Sequence, residues 1–345
     1  MATGKGVTKL RLQLSLVRGF AALGPSEEDH WPALRMALGV GIPTVALLLA
    51  GRPDLVIDAV FGGFAGMYGR GANRTTRLRH QSVAAALLVS GVGLGAALSA
   101  MQSPEWVLVL GEAAFAGIAS LVADRAAFRP RGPFFALFAF GASAALIHAD
   151  ALVATAVALS SALFALAIGA SSPRAASRPA VPLPSVRPSL RRSAGYAIAV
   201  AASGLAALAL GIGHPHWAMA GAAVPLSAVG LRGRLKRGVH RVIGTLAGLC
   251  LTGIILAFHP SSLLMGVLVV VLQFPTELFM ARHYALALFF FTPLILLMTR
   301  LALPAPAGSM IIDRAIETVL GVLVGFAVVL LGRTRQRTAR PRSAD

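Results

Sequence analysis

Acidic residues are scarce in this 345-residue chain: 13 Asp and Glu stand against 31 Lys and Arg, a formal charge of +18. Charged residues of both signs make up 13%, about half the share of a soluble domain. A chain this long folded for water would need more polar surface to cover its core, so a soluble globule is excluded. The single cysteine, Cys250, excludes an intrachain disulfide and is expected as a small buried core residue. No Gly-x-x-x-x-Gly-Lys-Ser/Thr loop is present to cradle phosphates, and no Cys/His set has zinc spacing. Ser, His and Asp nowhere assemble as a nucleophile with its base. No enzymatic activity, metal or cofactor is expected. Residues 1–20 hold no continuous apolar run ending in small residues, so no cleaved signal is expected there.

Apolar residues fill the gap, at 57% of the chain with a mean hydropathy of +0.77. A bilayer core takes on the order of 20 mainly apolar residues per helix. Twelve stretches approach that length. The first six are Ala33–Ala50, Leu55–Gly69, Ser82–Met101, Glu105–Ala123, Pro133–His148 and Ala151–Ala170. The second six are Ser193–Ile212, Trp217–Gly230, Arg241–Phe258, Ser262–Ala281, Tyr284–Thr299 and Ile311–Gly332. The basic residues test this count. With both termini cytoplasmic, 28 of the 31 Lys and Arg fall on inner segments, leaving only Arg52, Arg300 and Arg314 outside. That bias is the positive-inside pattern. It reads the basic run RLKRGVHR, Arg234 to Arg241, as a cytoplasmic loop at anionic headgroups, and it removes nucleic acid as a partner. The predicted fold is all-α: a polytopic transmembrane protein of about twelve spans in the inner membrane.

The Pro-, Ser- and Arg-rich stretch 171–192 reads as an extended cytoplasmic linker. It separates an interfacial segment, 1–30, and a first six-helix half, 31–170, from a second half, 193–332, and a basic tail, 333–345. RLRHQSVAAALLVSGVGLGAALSA from Arg77 aligns with RLKRGVHRVIGTLAGLCLTGIILA from Arg234 at a constant offset of 157. The halves are therefore expected as a pseudo-symmetric pair. A shorter repeat lies inside the second half. Arg241, Thr245 and Gly248 share Arg-x-x-x-Thr-x-x-Gly with Arg314, Thr318 and Gly321, the first set entering from inside and the second from outside. Many transporters build a midplane site from such inverted repeats.

Each set occupies one helix face. Two readings stay open: polar stripes along an anion pathway with an arginine at each mouth, or small-residue packing faces with snorkelling arginines. Acids inside spans are costly and need a partner or a use. Glu317 stands three residues from Arg314, the spacing of an ion pair. Glu277 follows Pro275, where a broken helix would suit ligand or proton binding. Each reads either as a structural group or as a proton-coupling one, and Glu112 poses the same choice in the first half. Phe289 to Phe291 face either lipid or an aromatic substrate, and His214 and His216 read as an interfacial anchor beside Trp217.

Trp217, the Arg-x-x-Gly-Thr-x-x-Gly block at 241–248, Tyr284 with Thr292, and Arg314 with Thr318 and Gly321 occur in that order. Together they resemble the fusaric acid resistance protein-like family, the integral membrane bound transporter domain related to bacterial aromatic acid exporters, over about residues 205–330. The first half resembles a diverged copy, with Ala84 at the offset position of Arg241 and Leu88 at that of Thr245. The resemblance implies export of small organic acids, aromatic ones included, or of related toxic compounds. The expected function is a secondary transporter coupled to protons. Arg241 and Arg314 would attract the anion, Thr245 and Thr318 would hydrogen-bond its carboxylate, and Glu317 or Glu277 would couple protons. A passive organic-anion channel, as in distantly similar plant malate channels, and a non-transporting envelope scaffold are the alternatives. The expected partners are the organic anion and membrane lipids, with no oligomer required.

Overall fold

The computed structural model describes residue 23 and residues 30–146, 150–171, 186–303 and 306–338, the side chains of 186–189 and 333–338 excepted. The N-terminal segment, most of the linker and the end of the basic tail lie outside the described residues. Among the described residues there are twelve α-helices and no strand. The first six are α1 His30–Leu49, α2 Val56–Gly63, α3 Arg74–Ala100, α4 Glu105–Arg125, α5 Phe134–Ala144 and α6 Ala151–Ser171. The others are α7 Val186–Ala209, α8 Pro215–Leu226, α9 Gly230–Ala257, α10 Ser262–Met280, α11 Tyr284–Ala302 and α12 Ala307–Thr338. Single 3-10 turns, Pro53–Leu55 and Phe64–Met67, extend α2 at both ends.

Nine of the described helices are long and apolar enough to cross a bilayer, against the twelve spans expected. The other three, α2, α5 and α8, have 8, 11 and 12 residues, too few to cross alone. Every residue of α2 is buried, as is all of α5 but Phe134 and all of α8 but Pro215. A helix wrapped by neighbours must be apolar all round, so hydropathy alone reads it as a span. The second departure is at the inner ends. α9 begins at Gly230 and α3 at Arg74, so the basic run 234–241 forms helical turns and not a loop. Arg and Lys are good helix formers, and their long stems let the charge leave the apolar layer while the backbone stays helical.

The exterior is apolar and the interior holds the charge. Leu49, Leu152 and Phe258 are 76%, 79% and 82% exposed, whereas the largest fully buried side chains are Arg77, Arg241 and Arg314. Hydrocarbon as the outer solvent accounts for both. It also accounts for Cys250, which lies exposed on α9 and not in the core as expected; against lipid a small apolar side chain gains nothing special from an interior place.

Packing follows a repeated scheme. In the first half α3 lies on α5 and α6, and α2 on α6; in the second, α9 lies on α11 and α12, and α8 on α12. Between halves, α4 lies on α7 and α10 on α1. Local sequence starts several of these helices. Asn73 caps α3 by accepting from the Thr76 amide at 2.8 Å. Ser261 caps α10 in the same way, accepting from the Leu264 amide at 3.3 Å.

Of a broken and a merely bent helix at Pro275, both open from the sequence, the broken one does not form: α10 runs through Pro275. The Thr276 hydroxyl donates back to the Leu272 carbonyl at 2.7 Å. Glu277 accepts from Arg70 Nη2 at 2.8 Å through its carboxylate and at 2.7 Å through its own carbonyl. This pair, 4% and 14% exposed at its side chains, ties α10 to the loop after α2. Replacing Glu277 by Leu is expected to cost about 3 kcal/mol, because a buried guanidinium loses its counter-charge. Thermal unfolding in micelles would register the loss, and the double variant Arg70→Leu/Glu277→Leu should recover part of it.

Candidate anion site

Glycines bring the second-half helices close enough to bury charge between them. A Cβ at Gly321 or Gly325 on α12 would run into the carbonyl oxygens of Ala218 and Ala222 on α8. A Cβ at Gly248 on α9 would stand 2.7 Å from Thr292 Cβ on α11, and one at Gly244 would meet the Ala285 carbonyl. The glycines of both repeats thus serve packing, as small-residue faces do in membranes.

The polar members of the same faces do something else. Arg241, Thr245, Arg314, Glu317 and Thr318 are each at most 2% exposed. Among the described residues, none of the three guanidinium nitrogens of Arg241 has a hydrogen-bond partner, nor do Nε and Nη1 of Arg314. The hydroxyls of Thr245 and Thr318 are unpartnered as well, and the Glu317 carboxylate lies against His214. Thr252, on the same stripe, is satisfied within its own helix by donating to the Gly248 carbonyl at 2.8 Å. Arg241 lies within electrostatic reach of Arg314, so two like charges are buried near one another. Holding unpaired ions out of water costs several kcal/mol each.

The guanidiniums rest on aromatic rings. Arg314 stands 3.7 Å from the Trp217 ring centroid and Arg241 5.0 Å from that of Phe134, both within cation–π reach. Between these two rings runs a column. Phe134 and Phe138, one turn apart on α5, have centroids 5.8 Å apart, and Phe138 and Trp217 are 4.8 Å apart. Phe291 of α11 joins the column 6.3 Å from Phe138. Of the three phenylalanines in that run, Phe291 therefore faces inward; Phe290 lies parallel to Phe279 of α10, 6.1 Å away.

Glu317 does not pair with Arg314 despite the spacing, because Arg314 turns onto Trp217. The Arg314 charge still reaches Glu317, and the imidazole of His214 comes close, with Nδ1 3.9 Å from Glu317 Oε1 and 3.7 Å from Asp313 Oδ2. His214 is a third exposed at its side chain, whereas its neighbour His216 is buried beside Trp217. The histidines are thus more than a surface anchor.

At the opposite end a cleft of about 20 Å³ reaches the rings between the 130–132 loop, the end of α8 and the start of α11; that is room for about one water. Arg237 lines it, its guanidinium 3.9 Å over the Tyr284 ring. Arg237 precedes Arg241 by one turn, so the basic face of α9 leads from the cleft to the buried arginine. That i, i+4 spacing was the available signal for Arg237. Phe134 and Phe138 carried none, since their partners come from the other half.

The first half offers no matching charges. Ala84 and Leu88 are buried and apolar where α9 has Arg241 and Thr245. Several buried polar groups of that half find partners nearby. Arg77 Nε donates to the Gly169 carbonyl at 3.0 Å, Gln81 to the Gly66 carbonyl at 3.1 Å, and Ser143 to Asp58 at 2.9 Å. Glu112 is buried with Oε1 unpartnered.

A family profile described as fusaric acid resistance protein-like matches residues 192–328. Over that stretch the second half of this chain is similar to the fusaric acid resistance protein-like family. The matched stretch holds Trp217, Arg241, Thr245, Arg314, Glu317 and Thr318, but it begins after α5 and so leaves out Phe134 and Phe138. The chain is also similar to a curated relative, an uncharacterized membrane protein, YvaC, of Bacillus subtilis (strain 168). The two are 31% identical over 154 residues, which is 44% of this chain and 24% of the relative. The matched part of this chain therefore spans about a quarter of that protein's length. No solved structure matches. Among the described residues, no group of three or more His, Cys, Asp or Glu could hold a metal ion.

Proposed function

We propose that this multi-pass protein is a secondary transporter of the inner membrane, a proton-coupled exporter of small organic acids with aromatic acids favoured. Its helices form two pseudo-symmetric halves with both termini cytoplasmic. The observation that carries the reading is the pair of buried arginines at the two ends of a ring column, most of whose guanidinium nitrogens have no hydrogen-bond partner among the described residues. A bound carboxylate would compensate Arg241 and Arg314 and accept hydrogen bonds from Thr245 and Thr318. An aromatic body would lie against Phe138 and Trp217. The ring column closes the way between the inner cleft and Arg314, which supports a carrier with an occluded site over an open channel. A scaffold would have no use for two unpaired guanidiniums.

Glu317 is the coupling group in this reading, while Glu277 serves the seam with Arg70. The Glu317 carboxylate and the substrate anion compete for the same positive charge. Protonation of Glu317 and anion binding therefore favour each other, and the wild type should bind its anion more tightly as pH falls. Glu317→Gln mimics the protonated form. In proteoliposomes it is expected to lose the pH dependence of benzoate flux and to keep the flux driven by membrane potential. An unaltered pH profile in that variant would remove Glu317 from the mechanism.

A further inference from the structure

The two seams between the halves are unequal. At the α4/α7 seam, Arg192 Nη1 meets Asp124 Oδ1 at 2.8 Å, and Ser193 donates to the Gly117 carbonyl at 2.5 Å. At the offset of 157 that relates the halves, Arg192 matches Arg35 on α1 and Asp124 matches Ala281 at the end of α10. The second seam thus repeats the cation without its carboxylate. Arg35 Nε is buried with no hydrogen-bond partner among the described residues. The charges that reach it are Arg77, Arg70 and Glu277, and Glu277 is held by Arg70. Of the charges that reach Arg35, two are therefore guanidiniums and one is a carboxylate.

Along the same seam lies an apolar groove of about 430 Å³, lined by Leu38, Ile42, Val45 and Leu49 of α1 and by Val270 of α10. From Leu38 to Leu49 it runs about 16 Å along the helix. Leu38 and Ile42 follow Arg35 at i+3 and i+7, so the Arg35 guanidinium, whose Nε has no partner among the described residues, stands at the groove's basic end. Val270 and Glu277, two turns apart on α10, mark the same line from the other side. At the α4/α7 seam, Gly117 faces Ala197 and Ser193 at ordinary contact distance instead.

We propose that the α1/α10 seam is a binding site for an anionic phospholipid, with the phosphate on Arg35 and one acyl chain in the groove. The lipid supplies at this seam the counter-charge that Asp124 supplies at the other. A free phosphate would satisfy Arg35 but leave the groove empty, and a neutral lipid would do the reverse.

The delipidated full chain in micelles, offered equal phosphatidylglycerol and phosphatidylcholine and read by native mass spectrometry, tests this. Phosphatidylglycerol should be retained with a roughly fivefold preference and should raise the unfolding temperature, whereas inorganic phosphate should not. Arg35→Gln should abolish the preference. Ala281→Asp, which gives Arg35 the carboxylate found at the other seam, should abolish it without loss of stability. Ala46→Trp, which fills the groove, should lower retention of both lipids. Undiminished preference in both Arg35→Gln and Ala281→Asp would overturn the site, and equal stabilisation by inorganic phosphate would overturn the lipid. A dimer that persists without lipid and is lost in Ala46→Trp would place a second copy of the chain in the groove and equally refute the proposal.

Discussion

Replacing Arg314 by Met is expected to weaken binding of an aromatic carboxylate such as benzoate by roughly ten- to a hundredfold, while making the folded protein more stable. The two effects have opposite signs for one reason. Arg314 is 2% exposed and lacks partners at Nε and Nη1 among the described residues, so in the empty protein the Trp217 ring and the Glu317 charge offset only part of its desolvation. An apolar side chain of similar length resting on Trp217 removes that burden, a gain of about 1–4 kcal/mol by comparison with other buried ions replaced by apolar groups. The bound anion loses charged hydrogen bonds worth about 1.5–3 kcal/mol, which sets the fold-change in binding. Thermal unfolding in micelles and benzoate binding by calorimetry measure the pair. If stability fell along with binding, Arg314 would be a structural cation and the anion site would be misplaced.

The largest loss of stability is expected from Gly321→Leu. The first added carbon collides with the Ala218 carbonyl oxygen, which belongs to a helix backbone and cannot rotate away. α8 and α12 must then separate along the contact that carries Trp217 and Arg314. A cost above about 3 kcal/mol follows from overpacking a backbone-to-backbone contact, and expression in the membrane should fall with it. Gly308→Ala on the same helix is the control. No atom lies within 4 Å of the carbon it adds, so it should be neutral or stabilising by a fraction of a kcal/mol. Equal damage from both substitutions would show that helix propensity, and not the approach of α8, governs these positions.

Much of this arrangement is legible in the sequence because lipid imposes simple rules. The scarcity of charge, the apolar stretches and the one-sided arginines give a polytopic helical protein, and all twelve stretches correspond to described helices. The buried faces of α9 and α12 follow from 3.6-residue arithmetic, so Arg241, Thr245, Arg314 and Thr318 could be named in advance. What hydropathy cannot separate is a helix surrounded by lipid from one surrounded by other helices; both are apolar all round, and α2, α5 and α8 were read as spans for that reason. Helix starts were placed too late at Ser82 and Arg241, since charge marks the edge of the hydrocarbon and not the end of the helix. Contacts between distant segments leave no local trace. The partner of Glu277 is Arg70, 207 residues away, and the rings beneath Arg241 come from α5. The ion pair that spacing suggested between Arg314 and Glu317 is absent, because Trp217 competes for the guanidinium from another helix.

The ring column has a consequence for how such proteins diversify. Its two α5 members, Phe134 and Phe138, belong to the half that lies beyond the matched family stretch and carries none of the buried arginine pair. If the proposed function holds, substitutions there would reshape the wall beside the bound anion while the residues that hold its charge stay untouched. Proteins sharing the second half would then differ in cargo, and a change of diet would be written in the lobe that looks idle.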